Sequence, residues 1–149
     1  MTYKRPVRVL FLCTGNSCRS QIAEGLANAL GKGKLEARSA GIKAHGKNPR
    51  AIATMRELGI DISHQESQVF DDQMLNWADL VITVCSSADQ HCPVLPAHVQ
   101  KKHWPFPDPA KAQGSDAQIE SVFREVRDQI LTKIQGMIGG LALWENQNN

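Results

Sequence analysis

The sequence predicts an α/β fold: one four-stranded parallel sheet with helices on both faces, a three-layer sandwich formed by a single domain spanning residues 1–149. Three observations support this. Strand-like apolar runs alternate with stretches of helical period, the pattern of βαβ units joined by right-handed crossovers. The run Leu80–Val84 is apolar but for Thr83, as expected of a strand covered on both faces. Two cysteines, Cys13 and Cys85, close predicted strands at their carboxyl ends, the edge where open α/β sheets bind ligands.

Arg8–Leu12 reads as a buried central strand. Ser20–Leu30 reads as a helix, with Ile22, Ala23, Leu26, Ala27 and Leu30 on one face, Ser20 as N-cap and Gly31 as stop. Leu35–Ala40 is a second strand ended by Gly41. Asn48 or Pro49 opens a helix reaching about Leu58, with Ile52, Met55 and Leu58 inward and Gly59 after it. Gly59–Ser63 is expected to be extended, and Asp71–Trp77 a short helix. Leu80–Val84 is the third strand, and a fourth falls within His98–Trp104 before the prolines at 105, 107 and 109. Asp116 to about Ile138 is an amphipathic helix with Ile119, Val122, Phe123, Val126, Ile130 and Ile134 as its stripe. Glycines 136, 139 and 140 weaken its end, so the chain from about 139 is expected to fray, Glu145–Asn149 above all.

A net charge of +2, from 17 Lys+Arg against 15 Asp+Glu, argues for neither nucleic acid nor membrane as partner. The apolar piece after Lys4, Arg5 and Arg8 is too short for a signal peptide, and Met137–Trp144 is too short to span a bilayer. These features point to a soluble, cytoplasmic protein, expected to be a monomer. Four cysteines in such a chain suit redox chemistry or metal binding better than structural disulfides.

The first chemical constellation is Cys13-Thr14-Gly15-Asn16-Ser17-Cys18-Arg19-Ser20. A thiol at a strand end, a tight loop and a helix N-terminus gather backbone N–H groups and dipole potential around an anion. That environment lowers a thiol pKa and makes Cys13 a candidate nucleophile, while Arg19 can grip a tetrahedral oxyanion through two N–H groups. The plainer reading of Cys13 is a buried core thiol.

The second constellation is Cys85 and Cys92. A helical six-residue spacer would hold the thiols apart, and partial unwinding would let them bond, which suits an inducible disulfide. Two ordinary thiols are the alternative. Zinc is disfavoured, because paired zinc ligands are usually spaced more closely. The third constellation is Trp104-Pro105-Phe106-Pro107-Asp108-Pro109, in which prolines stiffen Asp108. Asp108 is either a general acid beside the anion loop or a residue that makes a turn or caps something.

These residues resemble the thioredoxin-coupled arsenate reductases, which share the low-molecular-weight protein tyrosine phosphatase fold. The resemblance is carried by residues 13–20, Ser39-Ala40-Gly41-Ile42, Gly59-Ile60-Asp61-Ile62-Ser63, the Cys85/Cys92 pair, and His103-Trp104 with Asp108-Pro109-Ala110. It implies that residues 14–20 cradle arsenate or a phosphate-like oxyanion and that the Cys13 thiolate attacks arsenic. Asp108 would protonate the departing oxygen. It further implies a relay: Cys85 attacks Cys13 and arsenite leaves, Cys92 attacks Cys85, and thioredoxin reduces the Cys85–Cys92 disulfide, with no metal or organic cofactor. Asn16 and Ser17 would orient the loop, and Cys18 would support it without a redox role. Some members bind potassium at positions equivalent to Asn16, Glu24, Ser39 and Gln68. The neutral Gln68 replaces a carboxylate, so potassium dependence is expected to be weak or absent.

Three alternatives carry different predictions. A tyrosine phosphatase needs Cys13, Arg19 and Asp108 but has no evident use for Cys85 and Cys92, and Ala110 stands where many phosphatases carry tyrosine. A thiol-based oxidant sensor or oxyanion-binding module leaves Arg19 and Asp108 unexplained. A glutaredoxin-coupled reductase is disfavoured because Cys92 resolves the intermediate internally.

Overall fold

The structure, a computed structural model, describes residues 5–148, with side chains described as far as residue 141. The elements in chain order are β1 (Val7–Cys13), α1 (Arg19–Leu30), β2 (Leu35–Gly41), α2 (Pro49–Arg56), α3 (Asp72–Trp77), β3 (Leu80–Thr83), α4 (Ser86–Gln90), β4 (Gln100–His103), a 3₁₀ turn (Pro109–Lys111) and α5 (Asp116–Asn148).

All strand pairs are parallel, in the order β2-β1-β3-β4. The chain steps from β1 outward to β2, then returns across the sheet to β3 and β4. The order therefore reverses between β1 and β3, and such a switch point opens a crevice beyond the strand ends. Leu12 pairs with Thr83, so the residues after β1 and after β3 emerge side by side at that crevice.

The strands form where the sequence is apolar enough to be covered twice. Val9, Leu10, Phe11 and Leu12 are buried, as are Val81 and Ile82. The edge strand β4 is exposed along its length, and its Lys101 and Lys102 discourage further strand pairing. Helix α5 packs on α1 and α2. Its stripe holds in part: Phe123, Val126, Ile130 and Ile134 are buried, with Ile119 and Val122 at the margin. Asn48 caps α2 by accepting from Arg50 N, and Asp71 caps α3 by accepting from Met74 N.

Several expectations need correction. Ser20 is not the cap of α1; Cys18 occupies that position and Ser20 is buried in the first turn. Leu58 does not face inward: α2 ends at Arg56, Leu58 falls in the following turn at 41% exposure, and Ala51 and Thr54 join Met55 on the buried face. Gly59–Ser63 is a connection as expected but not extended at its ends: Gly59 turns left-handed at φ 76° and Ser63 begins a turn, with Ile62 fully buried between them. The expected fraying from about 139 gives way to helix: α5 continues to Asn148. Each glycine costs a helix about 1 kcal/mol, but no proline interrupts the run. Asn149 and residues 1–4 lie outside the described residues. Among the described residues, no helix is long and apolar enough to cross a membrane.

Candidate functional site

β1 ends at Cys13 and α1 begins at Arg19, so Thr14–Cys18 must turn sharply within five residues. Asn16 makes the turn. Its φ of 48° lies in the left-handed region, which Asn tolerates better than most side chains. It is completely buried, and its side chain is fully used. Nδ2 donates to Ser20 Oγ at 2.8 Å and Ser39 Oγ at 2.9 Å, while Oδ1 accepts from Gln68 N at 2.8 Å. Its carbonyl accepts from Gln21 Nε2 at 3.1 Å. The end of β2 presses on this loop at Gly41, where a Cβ would run into the Lys43 carbonyl and sit 2.8 Å from Asn16 N.

The Cys13 sulfur points into the loop. It lies 2.8 Å from Ser20 Oγ and accepts from Asn16 N at 3.2 Å. Donors gathered on sulfur are what an attacking thiolate requires. The plainer reading also holds in part, since Cys13 is only 3% exposed. Of the other loop residues, Gly15 lies under the His45 ring, and the Ser17 carbonyl accepts from Asn48 N at 3.2 Å. Cys18 is buried, and that burial, only partly opposed by a hydrogen bond with Ser17, pushes its thiol up to about 12. Cys18 is therefore a neutral thiol across the physiological range.

Arg19 is held from the far side of the crevice. Nη1 donates to the Phe106 carbonyl at 3.1 Å, and Nη2 stands 3.7 Å from Asp108 Oδ2. The 104–109 segment is anchored to do this. Trp104 N donates to Thr83 O at 2.8 Å, Trp104 and Phe106 are buried, and the Trp104 ring lies 6.1 Å from that of Phe11. Asp108 makes the cap that is one of its two readings, and it also stands beside the anion loop. Oδ1 accepts from Ala110 N and caps the 3₁₀ turn, and Oδ2 faces the arginine.

Cys85 follows β3 and caps α4, its sulfur accepting from Ala88 N at 3.3 Å. The same sulfur lies 3.2 Å from Thr14 Oγ1, so one side chain of the anion loop bridges to the second thiol. Cys92 lies past the far end of α4, half-buried. Burial raises its pKa against the opposing effect of Lys101. At about 1.5 Å per residue the helical spacer sets the two Cα atoms about 10 Å apart, beyond the ~7 Å a disulfide spans. All four cysteines are free.

Glu24, Ser39 and Gln68 gather behind Asn16. Ser39 Oγ donates to Glu24 Oε1 at 2.6 Å and Gln68 Nε2 donates to the Ser39 carbonyl at 3.2 Å. Burial raises the Glu24 pKa. These side chains satisfy one another: Gln68 donates its amide N–H to the Ser39 carbonyl, and among the described residues no buried side-chain N or O atom lacks a partner. No group of three or more His, Cys, Asp or Glu side chains is placed to hold a metal ion among those residues either.

Sequence reasoning missed three contributors: Ser20 as the sulfur's partner, Thr14 as the bridge to Cys85, and Gln21, whose amide buttresses the loop. Gln21 had a legible signal, a long polar side chain next to the apolar face of α1. The Thr14 contact depends on register across the sheet and had none.

The low molecular weight phosphotyrosine protein phosphatase family model matches residues 8–147. The chain is 50% identical over 127 residues to an arsenate reductase of Bacillus subtilis, covering 85% of this chain and 91% of that protein. Among solved structures it is similar to an arsenate reductase in the phosphate binding state, at 37% identity and a TM-score of 0.72, covering 91% and 98% of the two chains. A thioredoxin-dependent arsenate reductase of Corynebacterium glutamicum has 25% identity and a TM-score of 0.74, covering 95% of this chain and 65% of that one.

Proposed function

The chain belongs to the low molecular weight phosphotyrosine protein phosphatase family, and we propose that this member reduces arsenate to arsenite, with thioredoxin returning it to the dithiol state. The observation that carries this reading is the Thr14 Oγ1–Cys85 Sγ contact at 3.2 Å, which sets a second thiol beside the loop of the first. A phosphatase has no use for it. The identity to named arsenate reductases supports the same reading.

The chemistry follows from the geometry. Arsenate seats in the loop of residues 14–20, its oxygens facing backbone N–H groups, the α1 N-terminus and the Arg19 guanidinium. The Cys13 thiolate attacks arsenic(V) and a sulfur–arsenic bond forms. An oxygen leaves as water, with Asp108 supplying its proton. The Cys85 thiolate then attacks Cys13 Sγ. The sulfur–arsenic electron pair stays with arsenic, which departs as arsenic(III) arsenite, and a Cys13–Cys85 disulfide remains. The attacking Cys85 sulfur is positioned by the Thr14 hydroxyl at 3.2 Å and by Ala88 N at 3.3 Å. Cys92 next attacks Cys85 and frees Cys13. Thioredoxin supplies two electrons and two protons to the Cys85–Cys92 disulfide. Cys18 takes no part.

The neutral Gln68, where some members of the resembled family carry a carboxylate, supports weak or absent potassium dependence, and the relay itself moves electrons through sulfur alone. The protein is read as one monomeric domain acting in the cytoplasm, without nucleic acid or membrane partners. The shared first step gives it weak aryl phosphatase activity. The test is an assay with thioredoxin, thioredoxin reductase and NADPH. Wild type should consume NADPH on adding arsenate. Cys92→Ser should lose that turnover and keep its aryl phosphate hydrolysis. Loss of both activities, or of neither, contradicts the relay.

A further inference from the structure

The relay asks Cys92 to travel to Cys85, yet α4 holds the two apart. Five residues cannot sustain a helix by propensity alone, so something else holds α4 in place. One tether is Cys85 itself, whose sulfur caps the helix. The other is Asp89. Its Oδ1 lies 2.8 Å from Lys101 Nζ on β4 and accepts from the fully buried Thr83 hydroxyl of β3 at 3.2 Å. Lys101 Nζ also reaches the Asp89 carbonyl at 3.4 Å, the same oxygen that accepts from Cys92 N. His103 completes the cluster, Nδ1 lying 2.8 Å from Thr83 Oγ1 and 3.8 Å from the carboxylate. None of these four side chains belongs to the oxyanion site.

We propose that Asp89 and Lys101 are positioning residues for the last thiol exchange: their ion pair latches α4 to the β3–β4 edge, and its release lets Cys92 reach Cys85. This rests on the relay reading above. The order of events is built in. When Cys85 enters its disulfide with Cys13, its sulfur no longer caps as a thiol or thiolate, and Asp89 is the tether that remains. Cys92 then gives its proton to solvent and its sulfur attacks Cys85. The Cys85–Cys92 bond forms as Cys13 leaves as thiolate, with no net gain or loss of electrons. The ~10 Å helical spacing exceeds the ~7 Å limit for a disulfide, so the latched helix and the Cys85–Cys92 bond exclude each other. Whatever stabilises the latch favours the dithiol.

The experiment uses the full-length protein with Cys13→Ser, so that arsenate chemistry is not needed. It is equilibrated with glutathione and glutathione disulfide, which oxidises the pair to one disulfide while forming two molecules of glutathione. Alkylation and mass spectrometry then measure the Cys85–Cys92 disulfide. Lys101→Met and Asp89→Asn should both shift the equilibrium toward the disulfide, by about two- to fivefold for a partly exposed ion pair. Lys101→Arg should stay at the parent value. Amide exchange at Ala88 and Asp89 in the reduced protein should quicken in the first two variants alone. Opposite shifts in those two variants would mean that charge acts only on the Cys92 thiol, and would overturn the latch, as would no shift in either. If the parent forms no Cys85–Cys92 disulfide, the relay falls and the latch with it.

Discussion

Asn16 holds together the anion loop, the first turn of α1, the end of β2 and the segment at Gln68. Replacing it with alanine removes three hydrogen bonds and puts a residue without a polar side chain at a φ of 48°. Each lost bond costs about 1 kcal/mol, and the stranded hydroxyls of Ser20 and Ser39 add to this. Asn16→Ala should therefore destabilise the protein by about 2–4 kcal/mol in urea unfolding and raise the KM for arsenate, because the loop that seats the oxyanion loses its support. Legibility was uneven at this scale. Cys13, Arg19 and Asp108 stood out through spacing and neighbours. Ser20 read as a cap because Ser before an apolar periodic run is usually one. Here the loop closes so tightly that α1 begins a residue earlier, and its hydroxyl turns back onto the Cys13 sulfur.

The elements matter through what they deliver to the crevice. β1 and β3 deliver Cys13 and Cys85, α4 separates the third sulfur from them, and the segment after β4 brings Asp108 to Arg19. Thr14 is the point where the anion loop touches the start of α4. Thr14→Val keeps the shape and removes the hydroxyl. It should slow arsenite release about fivefold, the equivalent of one hydrogen bond of ~1 kcal/mol, while aryl phosphate hydrolysis holds steady, because only the second step uses Cys85. Equal slowing of both reactions would place the Thr14 hydroxyl, and not the backbone alone, in oxyanion binding instead. Strands and helices with strong periodicity were legible to within a residue or two. The misreadings at Leu58 and beyond Ile138 share a cause: a local signal for ending a helix says little about where packing ends it. Gly59 stops α2, but Leu58 has already left the helix, and the glycines of α5 weaken the helix without ending it.

Across the whole molecule, the reversal of strand order between β1 and β3 turns a distant pair of cysteines into neighbours, and this could be anticipated because parallel sheets place ligands at that edge. What the sequence hid was long-range polar contact, such as Asp79. Its carboxylate takes two hydrogen bonds from Arg5, at 2.7 and 2.9 Å, and one from Arg8 N, fastening the start of β1 to the start of β3. The Arg5 hydrogen bonds hold the Asp79 pKa below its ordinary value. A depressed folded-state pKa gives stability that is complete above the unfolded value of about 3.9 and is lost as pH falls through the lower folded one. Asp79→Asn should therefore melt below wild type at pH 7, with the gap in Tm closing as pH drops below about 4. A gap that persists in acid would assign the loss to packing instead.

The proposed reduction needs three sulfurs to act in a fixed order, and time-resolved mapping of disulfides after adding arsenate to reduced protein tests that most directly. Wild type should accumulate Cys85–Cys92, and Cys92→Ser should stop at Cys13–Cys85 with one arsenite released per chain. A disulfide between Cys13 and Cys18, or arsenite released with no new disulfide at all, would contradict it.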